Sequence, residues 1–299
     1  MGYHWARLLA RHGVEVLTYS EGRSEVTRKR AENAGARSVP SLERLVSESD
    51  LIVSVVVPFA ARRVASSVAK ALSKRGKKDC LYLDANAISP MTAGKIEKQL
   101  SGVGASFVDG CIIGSAAKLD RGTVVYVSGP KAEEIRGLEQ SGFSVRVLGA
   151  QAAQASAFKV VYAGLTKGLQ GLFVELLIGA RKFGLLNEIL SQYEESFPGL
   201  LGKVGSSIAA LGVHAGRRAE EMAELTETFR HYGLRAIMAP ATKNLLMSIA
   251  ALDVGKTSET GAREGTLLDA LEIFFEKGLL QEKAESAGGS SPRGSEKGA

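Results

Sequence analysis

Gly2-Tyr3-His4-Trp5-Ala6-Arg7-Leu8-Leu9-Ala10-Arg11, closed by Gly13, is followed by Val14-Glu15-Val16-Leu17-Thr18-Tyr19 and then by Ser20-Glu21-Gly22-Arg23-Ser24. The first run has helical spacing, with Trp5, Leu8 and Leu9 on one side, Arg7 and Arg11 elsewhere, and Gly13 as the stop signal. Val14–Tyr19 reads as a short buried strand, and Ser20–Ser24 lies where such a strand meets an adenosine ribose. These are the helix and second strand of a βαβ nucleotide-binding unit. Its first strand and most of its glycine turn are missing from the chain. Met1-Gly2 matches only the tail of G-x-G-x-x-G, and Gly2 is the glycine used for close helix packing. An N-terminally truncated unit is expected.

Outward from that stretch, strands and helices alternate. Glu25–Ala34 reads as a helix closed by Gly35, Ala36–Val39 as a short strand, and Pro40-Ser41 as the start of another helix. Leu51–Val57 is a nearly continuous β-branched run of the kind buried on both faces of a parallel sheet, ended by Pro58. A helix to about Arg75, a strand Cys80–Asp84, a helix from about Ser89, and strands at Ser106–Asp109, Thr123–Ser128 and Ser144–Leu148 complete a doubly wound α/β sheet. Near residue 150 the pattern changes. Gln151–Lys182 has no proline and a long apolar helical periodicity, about 45 to 50 Å of helix at roughly 1.5 Å per residue. Helices at Leu186–Ser196, Leu200–Leu211, Ala215–Tyr232, from Pro240, and at Gly265–Lys277 follow. The expected organisation is an α/β Rossmann-like domain lacking its first strand (1–150), an all-α C-terminal domain (151–281), and a disordered tail rich in Gly, Ser, Lys and Glu (282–299).

Apolar residues make up 45% of the 299 and charged residues 23%, which is ordinary for a globular chain and argues against wholesale disorder. The longest apolar stretch, Leu51–Ala61, is broken by Pro58 and is shorter than the roughly 20 residues a membrane span needs. No signal-peptide pattern precedes it. With only Cys80 and Cys111, no disulfide framework is implied and a reducing cytoplasm is expected. The net charge of +6 suits an anionic partner, such as a polyanionic cofactor or a small acid. Its basic residues are dispersed and not interleaved with aromatics, so a nucleic-acid partner is not expected.

Open α/β sheets bind ligands at the carboxyl ends of their strands. At Ser20–Ser24, an acid such as Glu21 accepts hydrogen bonds from an adenosine 2′-hydroxyl, whereas Arg23, Ser24, Thr27 and Arg28 can surround a 2′-phosphate. NADP or NAD both stay open, with the basic cluster leaning to NADP. Val57-Pro58-Phe59-Ala60-Ala61 is a sharp strand-to-helix turn that can pack on a dinucleotide, or a plain βα turn. In Asp84-Ala85-Asn86-Ala87-Ile88-Ser89-Pro90, Asn86 can pair with a carboxamide and Ser89-Pro90 can start a helix. A local turn explains Asp84 and Asn86 as well. Asp109-Gly110-Cys111-Ile112-Ile113-Gly114-Ser115 has glycines that allow close backbone approach, and Cys111 among apolar neighbours reads as a packed thiol. Lys159, early on the long helix, shares a face with Tyr162, Ala163 and Thr166. Among Ala157, Phe158, Val160 and Val161 its amine is expected to be partly desolvated, the condition that tunes a lysine for proton transfer, although most helix lysines reach solvent. Gly255-Lys256-Thr257 imitates the end of a phosphate-binding loop, but Ala250 stands where that loop needs glycine. His4, His12, His214 and His231 lack metal-ligand spacing, so no metal is expected.

Taken in order, the Rossmann portion, Val57-Pro58-Phe59-Ala60-Ala61, Asp84–Pro90, the Asp109 loop and Lys159 resemble the β-hydroxyacid dehydrogenase superfamily, which contains 6-phosphogluconate and 3-hydroxyisobutyrate dehydrogenases. His214-Ala215-Gly216-Arg217-Arg218-Ala219-Glu220-Glu221-Met222 looks like the C-terminal signature of a phosphogluconate-dehydrogenase-like branch with its own helical domain. The resemblance implies an NAD(P)-dependent oxidoreductase with Lys159 as the catalytic lysine. It implies a dinucleotide held by Gly2, Ser20, Glu21, Arg23, Ser24, Val57, Pro58, Ala61 and Asn86, and a small anionic substrate met by Gly110, Cys111, Gly114 and Tyr162. His214, Arg217 and Arg218 are further candidates for an anionic group. A homodimer through the helical domain is also implied. The chain departs from the family at Tyr162 and Ala163, where asparagines are usual, and at Ile113, where the family has a substrate-binding serine. Those departures leave the substrate open. The competing expectation is a non-catalytic remnant that serves as a helical dimerisation or ligand-binding protein.

Overall fold

A computed structural model describes residues 1–76, 79–254 and 266–281. Gly255-Lys256-Thr257 and the expected tail from 282 lie outside the described residues. By compactness the chain divides into two units, Met1–Lys167 with Glu220–Ala241, and Gly168–Ala219 with the residues from Thr242 on. The division falls inside the long helix, whereas the change in sequence pattern lies near residue 150.

The first unit opens with α1 (Gly2–Arg11), whose end is tied down by Gly13, in the left-handed region, donating to Ala10 O. Next come β1 (Leu17–Thr18), α2 (Glu25–Asn33), β2 (Arg37–Ser38) and α3 (Leu42–Glu48). Ser41 caps α3 by accepting from the Arg44 amide, as the Pro40-Ser41 signal suggests. Then follow β3 (Leu51–Ser54), α4 (Pro58–Arg75), β4 (Leu81–Asp84), α5 (Pro90–Ser101), β5 (Ser106–Ile113), β6 (Val124–Ser128) and β7 (Ser144–Gly149). Pro58 and Pro90 each sit in the first turn of a helix, where the missing N–H has no partner to lose. A 3₁₀ segment at Ala132–Ser141, which sequence periodicity does not reveal, links β6 to β7.

Two features differ from the expected single doubly wound sheet. First, β1 and β2 pair only with each other, in parallel, while β3-β4-β5-β6-β7 form a separate five-stranded sheet. No ladder joins β1 to β3 among the described residues, and both strands are shorter than the apolar runs that encode them. Second, β5 does not stop at Asp109. It continues to Ile113 because Asp109–Ile113 pair antiparallel with Val124–Ser128, whereas the other neighbours in this sheet run parallel.

The five-stranded sheet is covered on both faces, as its near-continuous apolar strands require. On one face Tyr82, Phe107 and Ile52 pack against α4 and α5 through Ala61, Ala65, Leu72, Ile96 and Leu100. On the other, Leu81, Leu83, Val108, Val125 and Val127 pack against Trp5 and Leu8 of α1 and against Ile135 and Phe143. The alternation along β4 follows the two-residue period of a strand.

In the second unit, part of the helix α6 (Gln154–Lys182) is joined by α7 (Leu186–Ser196), α8 (Leu200–Ala209), the first turns of α9 (Leu211–His231), most of α10 (Met238–Ala251) and α11 (Leu267–Glu276). Its buried side chains include Phe173, Val174, Leu177, Ile208, Leu211, Leu246 and Phe274. Arg181 holds Glu272 with two bonds of 2.9 Å, and Thr266 with Asp269 forms a capping box that starts α11. By length and composition α6 is apolar enough to cross a membrane, with mean hydropathy 1.2 over its most apolar window. A search for unbroken apolar runs misses it because Lys159, Lys167 and Glu175 interrupt the sequence. In each unit this helix contributes buried side chains, Val160 and Ala163 in the first and Phe173, Val174 and Ile178 in the second.

Candidate active site

The site is built where β5 meets the first turns of α6, all within the first unit. Asp109 sits at the middle of β5, fully buried, opposite Asp84 on β4. Its carboxylate accepts from the Ser156 amide at 2.7 Å and from Ser156 Oγ at 2.6 Å. The neighbouring Ala155 amide donates to Ser128 Oγ of β6 at 2.9 Å. A carboxylate at a helix N-terminus meets both the unsatisfied amides and the positive end of the helix dipole. Burial raises the Asp109 pKa above the usual carboxylate range, and the Ser156 bonds oppose that rise.

Ser156 and Lys159 are three residues apart on one face of α6, and Asp109 and Ile112 are three residues apart along β5. The Asp109–Ser156 latch therefore sets the rotation that brings Lys159 Nζ to 2.8 Å from the Ile112 carbonyl. The lysine is half-buried, and its amine is turned to the end of β5. A second contact supports the same placement: the Tyr126 and Phe158 rings lie 4.4 Å apart, with the Arg146 guanidinium over Tyr126. Neither Ser156 nor the Ile112 carbonyl is a residue that sequence reasoning singles out. Ser156 carries a signal, a small polar residue in the first turn of an apolar helix, whereas the carbonyl carries none.

The other strand ends divide into surface and scaffold. Ser20 is buried and starts a turn in which the Arg23 amide donates to its carbonyl, with Gly22 in the left-handed region. At the tip of that turn Tyr19 donates its hydroxyl to Glu21, which holds the carboxylate beside the end of β1. Arg23 is exposed. Ser24 caps α2 by accepting from the Thr27 amide, and the two hydroxyls lie 3.0 Å apart, so both are spent on the helix start. Val57 and Phe59 expose 52% and 85% of their surface beside Pro58, an apolar lip at the sheet edge. Gly2 is exposed at the start of α1, and a Cβ there would meet nothing nearer than the Val55 carbonyl at 3.9 Å.

Several expected contacts are corrected by this geometry. Ala61 is fully buried in the core under α4 and has no surface for a cofactor. Asn86 is also buried: Oδ1 accepts from the Val56 amide, Nδ2 donates to Ser54 Oγ at 2.9 Å, and its own amide donates to Asp84 Oδ1. It clamps the turns after β3 and β4 together. Gly110 is required by the protein and not by a ligand, since a Cβ would lie 2.8 Å from Leu83 Cδ1 and 3.0 Å from the Asp84 carbonyl. Cys111 is 1% exposed and burial pushes its thiol up to about 12, so it is a packed thiol with no face for substrate. The physical reason is common to both: β5 runs on through these positions instead of turning into a loop. Gly114, with φ +134, is the true end of the strand, and Thr123 packs where its Cβ would be. Tyr162 is exposed one turn beyond Lys159. In the second unit, Arg218 is buried and donates to Gln170 Oε1 at 2.9 Å and the Ser207 carbonyl at 2.7 Å, which takes it out of the set expected to meet an anion. His214 and Arg217 are exposed there, and burial and the two arginines lower the His214 pKa.

Comparison with known proteins gives the family. Residues 1–159 match the NAD binding domain of 6-phosphogluconate dehydrogenase, and residues 180–249 match a domain of unknown function, DUF1932. The chain belongs to the first of these families, within the β-hydroxyacid dehydrogenase superfamily. An uncharacterised 28.5 kDa protein of Methanothermus fervidus is 32% identical over 79% of this chain and 90% of its own. Bovine mitochondrial 3-hydroxyisobutyrate dehydrogenase is 25% identical over 47% of this chain and 41% of the enzyme. Among solved structures, the conserved protein MTH1747, described as structurally similar to 3-hydroxyacid dehydrogenases, superposes with a TM-score of 0.73 at 28% identity, covering 83% of this chain and 93% of that one.

Proposed function

We propose that the chain is an NAD(P)-dependent oxidoreductase of the dehydrogenase type, transferring a hydride between the nicotinamide and a small, anionic hydroxy acid or related carbonyl compound, with Lys159 as general acid/base. The observation that carries the reading is the Lys159 amine held 2.8 Å from the Ile112 carbonyl at the end of the latched strand. When bound, the dinucleotide supplies the hydride acceptor or donor. Lys159 takes the proton of the substrate hydroxyl as the C–H hydride leaves, and returns it in the reverse direction. The latch keeps the amine in one place, which is the part of the rate that positioning supplies.

The residues present fit the ribose and ring ends of a dinucleotide: Glu21 at the end of β1, the lip formed by Val57, Pro58 and Phe59, and Gly2 at the start of α1. We place NAD ahead of NADP. Glu21 is fixed by Tyr19 where a 2′-hydroxyl would donate to it, and Ser24 and Thr27 are engaged with each other. Gly114 and Tyr162 are the surface residues left near Lys159 to meet substrate. The protein is taken to act in the cytoplasm as a homodimer. α6 supports this with an outward row in the second unit, Leu172 and Leu176, both exposed and followed by exposed Phe183 just past the helix end, eleven residues after Leu172. Gly168 and Gly179 lie in the same row with no atom near a would-be Cβ, so a second helix can approach closely. The remnant reading draws on the missing ladder between β1 and β3. The test is Lys159→Ala: the reading expects unchanged dinucleotide affinity by calorimetry with turnover lost, and the remnant reading expects no binding in either form.

A further inference from the structure

The outer face of α1 and the turn at 116–121 form an open cleft of about 260 Å³. Arg7 and Arg11 of α1 and Arg121 of the turn line it, together with His4 and one acid, Asp120. We infer that this cleft is a binding site for a small multivalent oxyanion, of the phosphate-ester or polycarboxylate kind, separate from the strand-end site.

Three observations converge on this. The first is charge. Among the described residues no ion pair is recorded at Arg7, Arg11 or Arg121, and Arg7 donates only to the Tyr3 hydroxyl, at 3.3 Å. Arg7 and Arg11 are spaced i, i+4, a like-charge pair that weakens a helix, and α1 carries no acid to offset them. A dianion relieves that repulsion, and planar guanidinium groups match the oxygens of phosphate or carboxylate in pairs. The second is shape. Leu8 and Leu119, both buried, make an apolar floor, so the charged groups stand on the rim of a hollow and not on an open plain. The third is rigidity. Thr123 Oγ1 donates to the Ser115 carbonyl at 2.7 Å, and the Arg121 and Thr123 amides both donate to the Lys118 carbonyl, so the turn bearing Arg121 is closed on itself. A turn closed in this way adds no backbone-ordering cost to anion binding.

The position separates this site from the dinucleotide. His4, Arg7 and Arg11 run down α1 away from Gly2, Arg11 standing about 13 Å along the helix axis from it. The cleft instead bridges α1 to the β5–β6 hairpin, the same hairpin whose Ile112 carbonyl holds Lys159. An anion there ties the two together.

Trp5, the single tryptophan, is buried on α1 against Phe143 and reports on this helix. Titration of the full chain with inorganic pyrophosphate, and separately with citrate, at about 0.15 M salt is expected to change Trp5 fluorescence saturably. The anion that binds more tightly identifies the source class. Arg11→Ala and Arg121→Ala, both exposed and free of structural bonds in the core, are expected to weaken that binding about tenfold or more. Asp120→Asn is expected to tighten it, and Arg75→Ala, equal in charge change but at the end of α4 on the other face of the sheet, to leave it within about twofold. Absence of saturation with both probes overturns the site. Equal weakening by Arg75→Ala and Arg121→Ala also overturns it, since the attraction would then be the net charge of the molecule.

Discussion

Lys159 draws its role from what holds it. A lysine on an apolar helix ordinarily reaches water, and the sequence around it, Phe158 and Val160, does not say which way it turns. The direction comes from Ser156 gripping Asp109 one turn earlier, a contact 47 residues apart in sequence. At the same scale, the proposed preference for NAD over NADP rests on Glu21. Removing that carboxylate takes away one charged acceptor for a ribose hydroxyl, so Glu21→Ala should lower NAD affinity about tenfold and leave NADP affinity unchanged or improved. Calorimetry with both dinucleotides reads this directly, and an NAD affinity untouched by the substitution would remove Glu21 from the site.

Elements carry the part of the fold that was legible in the residues. Helix starts at Ser41, Ser89-Pro90 and Pro58 were visible because caps and proline act locally, and α1 and α7 have the boundaries their periodicity demands. The length of β5 was not legible. Nothing in Gly110-Cys111-Ile112-Ile113 distinguishes a loop from a strand until a partner is known, and that partner, β6, lies beyond a turn. The same nonlocality hid the function of Asn86, whose bonds reach back to Ser54 and Val56. Candidate-site residues placed by motif order were therefore split between surface and scaffold.

The β4–β5 pair also carries a pH dependence. Asp84 is fully buried beside Asp109, and burial raises its pKa from an ordinary 3.8 to about 6, opposed by the Asn86 bonds. A carboxyl whose folded pKa is raised binds its proton more tightly in the folded state, so its contribution is complete below the unfolded value and is lost as pH rises through the folded one. The loss amounts to about 3 kcal/mol between pH values of roughly 4 and 7. Asp84→Asn should flatten that decline and raise stability near neutrality. Urea unfolding of the two proteins across this range checks it. A parallel decline in the variant would show that Asp84 is not its source.

At the scale of the whole molecule, two compact units share one continuous helix, and the outward row on the part of α6 in the second unit is an apolar face left exposed. Sequence reading registers these residues as helix periodicity but not as a separate row, because their buried neighbours supply the same period. Leu172→Glu with Leu176→Glu should convert the proposed dimer to a monomer in light scattering, since two charges would then face an apolar seam. A dimer that persists in this variant would place the seam elsewhere.

The most direct test of the account is a single-turnover measurement of hydride transfer in Lys159→Ala, with the dinucleotide already bound and a small 3-hydroxy acid that the unaltered chain oxidises. A fall of about 10²- to 10⁴-fold is predicted, with the dinucleotide dissociation constant unchanged. Transfer at the unaltered rate would contradict the assignment of Lys159 as the acid and base of this site.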